Sequence, residues 1–494
     1  MNQVLRIVMS AFLVVTSAES ARVVAQRSDG AERPNIVMII ADDQAYSDFG
    51  FMGNEHVRTP NIDRLASQSA RYTNGYVPSS VCRPSLVTLL TGLYPHQHGV
   101  HFNHPPPGFA KMTRSAEIDK QEFDRLRRRA TYLIRSVPTL PRLLAARGYR
   151  CLQTGKYWEG HWRNAGFTEG MTLAEPAAGA NNGNKTLANG EVVAHGNGDH
   201  GLAIGRDTMQ PIYDFIDDCD DTPYFIWYAP FLPHLPHDAP ERFHDAYEDD
   251  SHVSPHQVPY YAACSQFDET VGQLVDYVEQ KGRAEQTVFL FVSDNGFVPD
   301  AKRPMPGGEF NYTRTSKRSP FDDGLRTPIL IRWDGRVAPA EHVEPCSSVD
   351  IVPTLLDAVG MANAKTKLPG RSLLPSAIGA ETLRPQPVVG EIYPGDASTL
   401  GNPSRDIAYR WVRDGDLKLI VPHQRGKRAA WNEYVAGPAL FDLARDPTET
   451  QDLSGEPAQS VNVKRLRKLL DDWWTPGKGE NRFRKPPTTR EQQP

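Results

Sequence analysis

The chain has 494 residues, of which 39% are hydrophobic and 23% are charged, as is ordinary for a soluble globular protein. Its 55 lysines and arginines against 60 aspartates and glutamates give a net charge of -5, which argues against nucleic acid as the main partner. The length exceeds what one hydrophobic core usually organises, so we expect a large domain and a smaller one.

The first 25 residues have the pattern of a secretory signal peptide. Arg6 precedes an apolar run from Ile7 to Val15, and small residues follow through Ala25. The run is too short to span a bilayer comfortably, although an uncleaved membrane anchor is the alternative interpretation. No other segment is apolar enough to cross a membrane. We therefore expect an exported protein, periplasmic or secreted, without stable membrane insertion.

The chain that follows alternates buried strands with helices. The first strand candidate is the apolar run from Ile36 to Ile40, and Thr59-Pro60 then opens a helix with Thr59 as its N-cap. Further strand candidates are Tyr224 to Tyr228, Val288 to Val292 and Ile329 to Trp333, and a helix candidate is Ser265 to Gln280. This alternation predicts an α/β fold with a mostly parallel sheet.

Two segments stand apart from this pattern. Residues 101–136 have the composition of an insertion, Pro-rich at first and strongly charged from Asp124 to Arg129. A solvated helix and loop is the simplest interpretation, with a role in shaping a substrate pocket left open. From about residue 384 the apolar runs shorten. We therefore predict a large domain at 32–383, an α+β subdomain at 384–477 and a disordered tail at 478–494.

Acidic side chains follow two of the predicted buried strands. Asp42-Asp43 comes directly after the first strand, and Asp294-Asn295 comes directly after the strand Val288 to Val292. Ligands of parallel α/β sheets bind beyond the carboxyl ends of strands, where adjacent carboxylates repel each other unless a cation compensates. Three carboxylates and an amide oxygen suit Ca²⁺ or Mg²⁺, and the neutral asparagine favours Ca²⁺. The alternative is two acidic turns that are unrelated in space.

Cys82 begins a predicted helix that contains Pro84 near its start and stops at Gly92. The exposed N–H groups and dipole at a helix start favour a negative charge there, although a lone cysteine in this position is more often a packing residue. The other four cysteines could form disulfides after export or be small buried hydrophobes: Cys151, Cys219, Cys264 and Cys346.

Together these residues resemble the sulfatase family. Cys82-Arg83-Pro84-Ser85 with Leu90-Thr91-Gly92 is similar to the family signature C-x-P-S-R-x-x-x-L-T-G. Six further segments also resemble family motifs and occur along the chain in the family's order. They are Arg33 to Asp43, Thr59 to Ala66, Gly155-Lys156-Tyr157-Trp158, Pro233-His234-Leu235-Pro236, Ser293 to Gly296, and Lys317 with Asp322 to Pro328. Leu440 to Glu449 resembles a late family motif as well.

The resemblance implies an alkaline-phosphatase-like sandwich with a large mixed, mostly parallel sheet between helices. It implies one Ca²⁺ held by Asp42, Asp43, Asp294 and Asn295. It also implies conversion of Cys82 to formylglycine by a maturation enzyme, and hydrolysis of a sulfate ester on a small molecule or glycan. Lys156 and Lys317 would neutralise the sulfate, and His234 would protonate the leaving alcohol. Arg83, His98 and Trp158 are candidate substrate-binding residues.

Two positions depart from the family pattern. Leu86 stands where the signature has arginine, and Trp158 stands where the family has histidine. Three functions therefore stay open: a sulfatase with altered supporting residues, a hydrolase of a phosphodiester, phosphonate or sulfamate, and a member that binds a sulfated glycan without turnover. In the first case a replacement donor could come from Arg83, His96, His98, His101 or His161.

Overall fold

The computed structural model describes residues 33–178, 183–194, 200–362, 367–424 and 429–478. The predicted signal peptide at 1–25 lies outside the described residues, as does the predicted tail beyond Lys478. Within the described ranges, no helix combines the length and the apolar character needed to span a bilayer.

A nine-stranded sheet forms the centre of the molecule. Its strands are β1 Asn35–Ala41, β2 Ala70–Tyr76, β3 Arg150–Gly155, β4 Glu169–Gly170, β5 Tyr224–Ala229, β6 Thr287–Ser293, β7 Arg326–Arg332, β8 Ala340–His342 and β9 Cys346–Ser347. Their order is β8-β2-β7-β6-β1-β5-β3-β4, and β9 also pairs with β2. Strands β6, β1, β5, β3 and β4 are parallel, whereas β7 is antiparallel to β6 and β2. The predicted mixed, mostly parallel sheet is confirmed.

Both faces of the sheet are covered by helices. Alternate residues of β1 belong to two separate core clusters, with Ile36, Met38 and Ile40 on one face and Val37, Ile39 and Ala41 on the other. This explains why β1 is a continuous apolar run, because neither face reaches water. The longer helices are α1 Pro60–Ser67, α2 Cys82–Thr91, α3 Lys120–Thr131, α4 Leu140–Ala145, α5 Gln210–Asp218, α6 Val258–Gln280, α7 Ile351–Ala358 and α8 Ser460–Trp473.

The helices divide between the two clusters. Side chains of α2, α4 and α7 join the first cluster, and side chains of α1, α5 and α6 join the second. Other helices lie at Pro95–His98, Phe109–Arg114, Glu241–His244, Asp322–Leu325 and Leu374–Ala377. Two small hairpins pair Asn184–Thr186 with Val192–Ala194 and Pro299–Pro304 with Phe310–Tyr312.

A second, antiparallel sheet forms the C-terminal part. It contains β10 Val388–Ile392, β11 Tyr409–Asp414, β12 Leu417–Pro422 and β13 Ala439–Asp442, in that order. One face packs Trp411 and Ile420 with Tyr76 of β2, and the other packs Val412 and Leu419 beneath α8. The predicted smaller α+β subdomain is therefore present, and it is joined to the large sheet through an apolar cluster.

The start of α1 differs from the local prediction. The Thr59 hydroxyl does not cap the helix; its Oγ1 accepts the Gly50 N–H at 2.9 Å and donates to Asp63 at 3.1 Å. The free helical N–H groups of Asn61 and Ile62 instead donate to the Asp268 carboxylate of α6, at 3.1 and 2.7 Å. Thr59 is therefore the N-cap residue, as predicted, but its side chain does not cap the helix, because a distant carboxylate satisfies these donors.

All five cysteines are buried and free, so the small-hydrophobe interpretation of Cys151, Cys219, Cys264 and Cys346 holds in this structure.

Candidate active site

The two acidic motifs meet at one edge of the large sheet. Strands β1 and β6 are parallel neighbours with Ala41 opposite Ser293, so the residues that follow them leave the sheet side by side. Asp43 N donates to Asp294 Oδ1 at 3.0 Å, and Asn295 Nδ2 donates to Asp43 Oδ1 at 2.7 Å. Asp43 has a left-handed backbone, with φ of 66°. The alternative of two unrelated turns is therefore excluded by the pairing of the strands.

Two lysines neutralise part of this negative charge. Lys156 follows β3, and its Nζ lies 2.5 Å from Asp42 Oδ1 and 3.8 Å from Asp294 Oδ2. Lys317 forms an ion pair with Asp43 Oδ2. The residue before Lys156 has to be glycine. A Cβ on Gly155 would lie 1.9 Å from the Ala229 carbonyl oxygen, and the backbone there has a φ of +66°.

Cys82 lies beside the same carboxylates, as the first residue of α2. Its Sγ is 3.7 Å from Asp43 Oδ1 and 3.9 Å from Asp42 Oδ1, and the residue is buried. Burial raises the pKa of the thiol above its usual range, although Lys156 and Lys317 oppose the shift. The free thiol is accordingly held in its protonated form.

His234 closes the cluster on its more open side. Its Nε2 lies 3.4 Å from Asp43 Oδ2, and its side chain is 21% exposed, against 2% or less for Asp42, Asp43 and Lys156. Nδ1 lies 2.5 Å from the Leu235 carbonyl oxygen, so Nδ1 carries a hydrogen and Nε2 faces the cluster. Burial lowers the pKa of His234 well below its usual range, and Asp43 offsets this only in part.

The oxygen atoms of the cluster fit a hard divalent cation. Three buried oxygens have no hydrogen-bond partner in the described part of the chain: Asp42 Oδ2, Asp294 Oδ2 and Asn295 Oδ1. Burial, with repulsion between the carboxylates, raises the pKa of Asp42 and of Asp294 despite Lys156. Uncompensated buried charge of this kind is costly, and Ca²⁺ prefers carboxylate and amide oxygens.

Comparison with known proteins identifies the family. The sulfatase family model matches residues 34–361, about two thirds of the chain, and the model described as N-sulphoglucosamine sulphohydrolase, C-terminal, matches residues 308–474. The chain belongs to the sulfatase family. It is thus a member of a family of sulfuric ester hydrolases with the alkaline-phosphatase-like fold.

Individual relatives agree with this assignment. The chain is 28% identical to arylsulfatase A of Homo sapiens over 467 residues, covering 88% of this chain and 84% of that protein. It is 25% identical to the ulvan-active sulfatase of Formosa agariphila over 479 residues, covering 90% of this chain and 82% of that protein. The crystal structure of the PsFucS1 sulfatase from Pseudoalteromonas sp. superposes with a TM-score of 0.65 at 19% identity, covering 89% of this chain and 90% of that one.

The predicted substrate-binding residues of this sulfatase-family chain are engaged within the protein. Arg83 is fully buried, and its guanidinium donates to both oxygens of Glu159 at 2.6 and 2.9 Å. His98 Nδ1 accepts the Val100 N–H at 3.1 Å, and Trp158 is 8% exposed. Direct substrate contact by these residues stays a prediction; the observed contacts favour a supporting role.

The two departures from the sulfatase motifs are also visible. Leu86 and Trp158 both belong to the buried core cluster to which α2 contributes, so apolar side chains stand at the two positions where the family motifs have arginine and histidine. The other candidate donors have partners elsewhere: His96 with Glu391, and His101 with Asp406. His161 accepts the Arg163 N–H at 3.2 Å. In the described residues, the cluster of potential metal-binding side chains that contains Cys82 also includes Asp42, Asp43 and His234.

The sequence did not single out the residue that holds the His234 turn. Arg206 NH2 donates to the carbonyl oxygens of Phe231, His234 and Pro236 at 2.7, 3.2 and 3.2 Å. The Phe231 ring stacks on His234 at 4.3 Å between centroids. Arg206 lies in a separate segment with no motif of its own, so no local pattern reveals this contact.

Proposed function

We propose that the chain hydrolyses a sulfate ester of a carbohydrate, using one Ca²⁺ and a nucleophile made from Cys82. Membership of the sulfatase family supports the reaction class. The observation that carries the site assignment is a trio of buried oxygens next to Cys82, on Asp42, Asp294 and Asn295, that accept no hydrogen bond from the residues the structure describes.

Asp42, Asp43, Asp294 and Asn295 would hold the calcium ion. When bound, the ion would supply positive charge that polarises the sulfate oxygens and stabilises negative charge at the nucleophile. Formylglycine made from Cys82 would supply, as its hydrate, one hydroxyl that attacks sulfur and a second that permits release of sulfate by elimination. This requires a formylglycine-generating maturation enzyme as a partner. Because Leu86 stands where the signature has arginine, modification of Cys82 by such an enzyme has to be tested.

The chain's own cations would act on the substrate. Lys156 pairs with Asp42 and Lys317 pairs with Asp43, and their charges would attract the sulfate group and balance charge on the leaving oxygen. His234 presents Nε2 to the open side of the cluster and would donate a proton from it to the leaving alcohol. Because burial disfavours the imidazolium, the bound sulfate would have to supply the negative charge that favours protonation.

A carbohydrate substrate is favoured by the relatives. One of them is named for activity on ulvan, and export of this chain, as its first residues predict, would bring it to such polymers. A sulfamate is the second candidate, because the model that matches residues 308–474 is named for N-sulphoglucosamine sulphohydrolase. A non-hydrolysing sulfated-glycan binder is the third alternative.

Two measurements test the proposal. Mass spectrometry of the Cys82 peptide, after co-expression with a formylglycine-generating enzyme, should show conversion of the thiol to the aldehyde; an unmodified thiol would exclude this nucleophile. Release of sulfate from an O-sulfated and an N-sulfated glucosamine should then be compared with and without Ca²⁺. Faster release from the N-sulfated sugar selects the second candidate, and binding without release selects the third.

A further inference from the structure

A basic pocket lies beside the active site, between the inserted segment and the chain that follows Lys156. Its cavity volume is about 200 Å³. Helix α3 contributes Phe123, Arg127, Arg128 and Thr131, and the opposite wall contains Gly160, His161 and Asn164. We call it the Arg127 pocket.

Arg127 is the unusual residue of this pocket. It is 7% exposed, yet neither NH1 nor NH2 has a hydrogen-bond partner among the described residues. The neighbouring cation Arg83 is already paired with Glu159, and among the described residues no hydrogen bond joins that carboxylate to Arg127 NH1 or NH2. Burial, and then Arg83, lowers the pKa of Arg127 to about 9. A buried cation without a hydrogen-bond acceptor destabilises the folded protein unless an anion pairs with it.

Two further arginines and two carboxylates line the pocket. Arg128 and Arg135 stand at its rim, and Arg135 is held in place by Asn164 Oδ1 at 2.6 and 2.8 Å. The two lining carboxylates, Asp124 and Glu175, both contact Lys120, at 2.5 and 3.4 Å. Three arginines therefore line a pocket whose carboxylates already have a cation.

The pocket and the active site share a short stretch of the chain. Lys156 contacts Asp42 of the acidic cluster, and Gly160, four residues later, lines the pocket. Four residues span at most about 14 Å, so the two sites lie within reach of one oligosaccharide. Trp158 stands between them in sequence, with the Arg127 guanidinium 5.8 Å from its ring centre.

We propose that the Arg127 pocket binds a second anionic group of the substrate, a carboxylate or sulfate ester on a sugar unit next to the one that loses sulfate. The inference rests on the proposed function, because it names the substrate as an acidic carbohydrate. Guanidinium groups bind both oxyanions through paired, charge-assisted hydrogen bonds, so the chemistry is shared by the two sources. The inserted segment 101–136 would then act in substrate selection.

Arg127→Gln tests the proposal, with Arg129→Gln as the matched control, since Arg129 is an exposed arginine of the same helix outside the pocket lining. The substrates are a sulfated disaccharide with a uronate, its carboxyl-reduced analogue, a disulfated analogue and an aryl sulfate. We expect Arg127→Gln to lower kcat/KM about 10- to 100-fold for the doubly anionic substrates, through KM, with aryl sulfate turnover unchanged. The uronate and disulfated arms distinguish carboxylate from sulfate as the ligand.

Equal losses on all four substrates, or no loss on any, would overturn the proposal. Arg128→Glu at the exposed rim gives a second variant if Arg127→Gln fails to fold. Calorimetric binding of the desulfated uronate disaccharide is measured in parallel and needs no turnover. If the wild type binds this probe and Arg127→Gln does not, the pocket stands even if no sulfate ester is hydrolysed. If both bind it equally, the pocket proposal fails and the hydrolase proposal is untouched.

Discussion

Replacing Asp294 with asparagine separates the cost of the buried carboxylates from the benefit of binding a cation. Asp294 Oδ1 accepts the Asp43 N–H at 3.0 Å, a contact that an asparagine oxygen can keep, whereas Oδ2 accepts no hydrogen bond from the described residues and has only Lys156 Nζ at 3.8 Å. Burial, with repulsion from Asp43 and despite Lys156, raises the pKa of Asp294, so its ionised form lowers the free energy of unfolding at neutral pH. Asp294→Asn should therefore stabilise the protein when metal is absent.

The same substitution should weaken the response to calcium. Calcium at about 100 times its Kd adds about 2.7 kcal/mol to the free energy of unfolding of the wild type. If losing a charged ligand weakens binding about 100-fold, the same concentration adds only about 0.4 kcal/mol to the variant. The two effects have opposite signs, so the unfolding temperatures of wild type and variant should cross as calcium is added.

Thermal unfolding followed by circular dichroism, with EDTA and then with increasing Ca²⁺, measures both effects. Asp221→Asn, an exposed carboxylate outside the site, is the control and should change neither. A variant that keeps the full calcium increment would refute Asp294 as a ligand. A wild type with no calcium response would refute the metal site altogether.

Three further predictions concern the residues around the site. His234→Ala should lower kcat about 10²- to 10⁴-fold for an alkyl sulfate and less for an aryl sulfate, whose leaving group needs no proton; equal losses would exclude proton donation. Arg83→Met should lower the free energy of unfolding by about 3–5 kcal/mol because it leaves Glu159 buried and unpaired. The double variant with Glu159→Leu should recover much of that loss, as measured by chemical denaturation. If the losses of the two single variants simply add, the two side chains do not act as an ion pair. Burial lowers the pKa of His237 to about 3, so below about pH 6.5 the unfolded chain binds a proton that the folded chain does not. Stability is therefore lost as pH falls toward 3, and His237→Gln should reduce that slope by about 1.4 kcal/mol per pH unit; an unchanged slope would contradict the assignment.

The sequence predicted the strands and the acidic cluster because both depend on local rules. A run such as Ile36 to Ile40 is apolar throughout because both faces of β1 are buried. Parallel neighbours then bring their carboxyl ends together, which places Asp43 beside Asp294 as the pattern indicated. The start of α2 at Cys82 followed from Pro84 and Gly92 in the same way.

Contacts between distant segments could not be read from the sequence. The N-terminus of α1 is capped by Asp268 of another helix, although Thr59 is a suitable local cap. Arg206 holds the His234 turn from a segment without a motif. Arg83 belongs to the signature in sequence, but its partner is Glu159, 76 residues later.

The sequence by itself determined the family, the mixed α/β sheet and the residue types of the acidic cluster, since each is fixed by periodicity or by short motifs at strand and helix ends. Only the tertiary structure decided which charges are paired and which are not. Among the described residues, one oxygen each of Asp42, Asp294 and Asn295 accepts no hydrogen bond, and NH1 and NH2 of Arg127 have no acceptor. Those differences depend on burial and on neighbours from far along the chain, and they are what the proposals for calcium and for a second anion rest on.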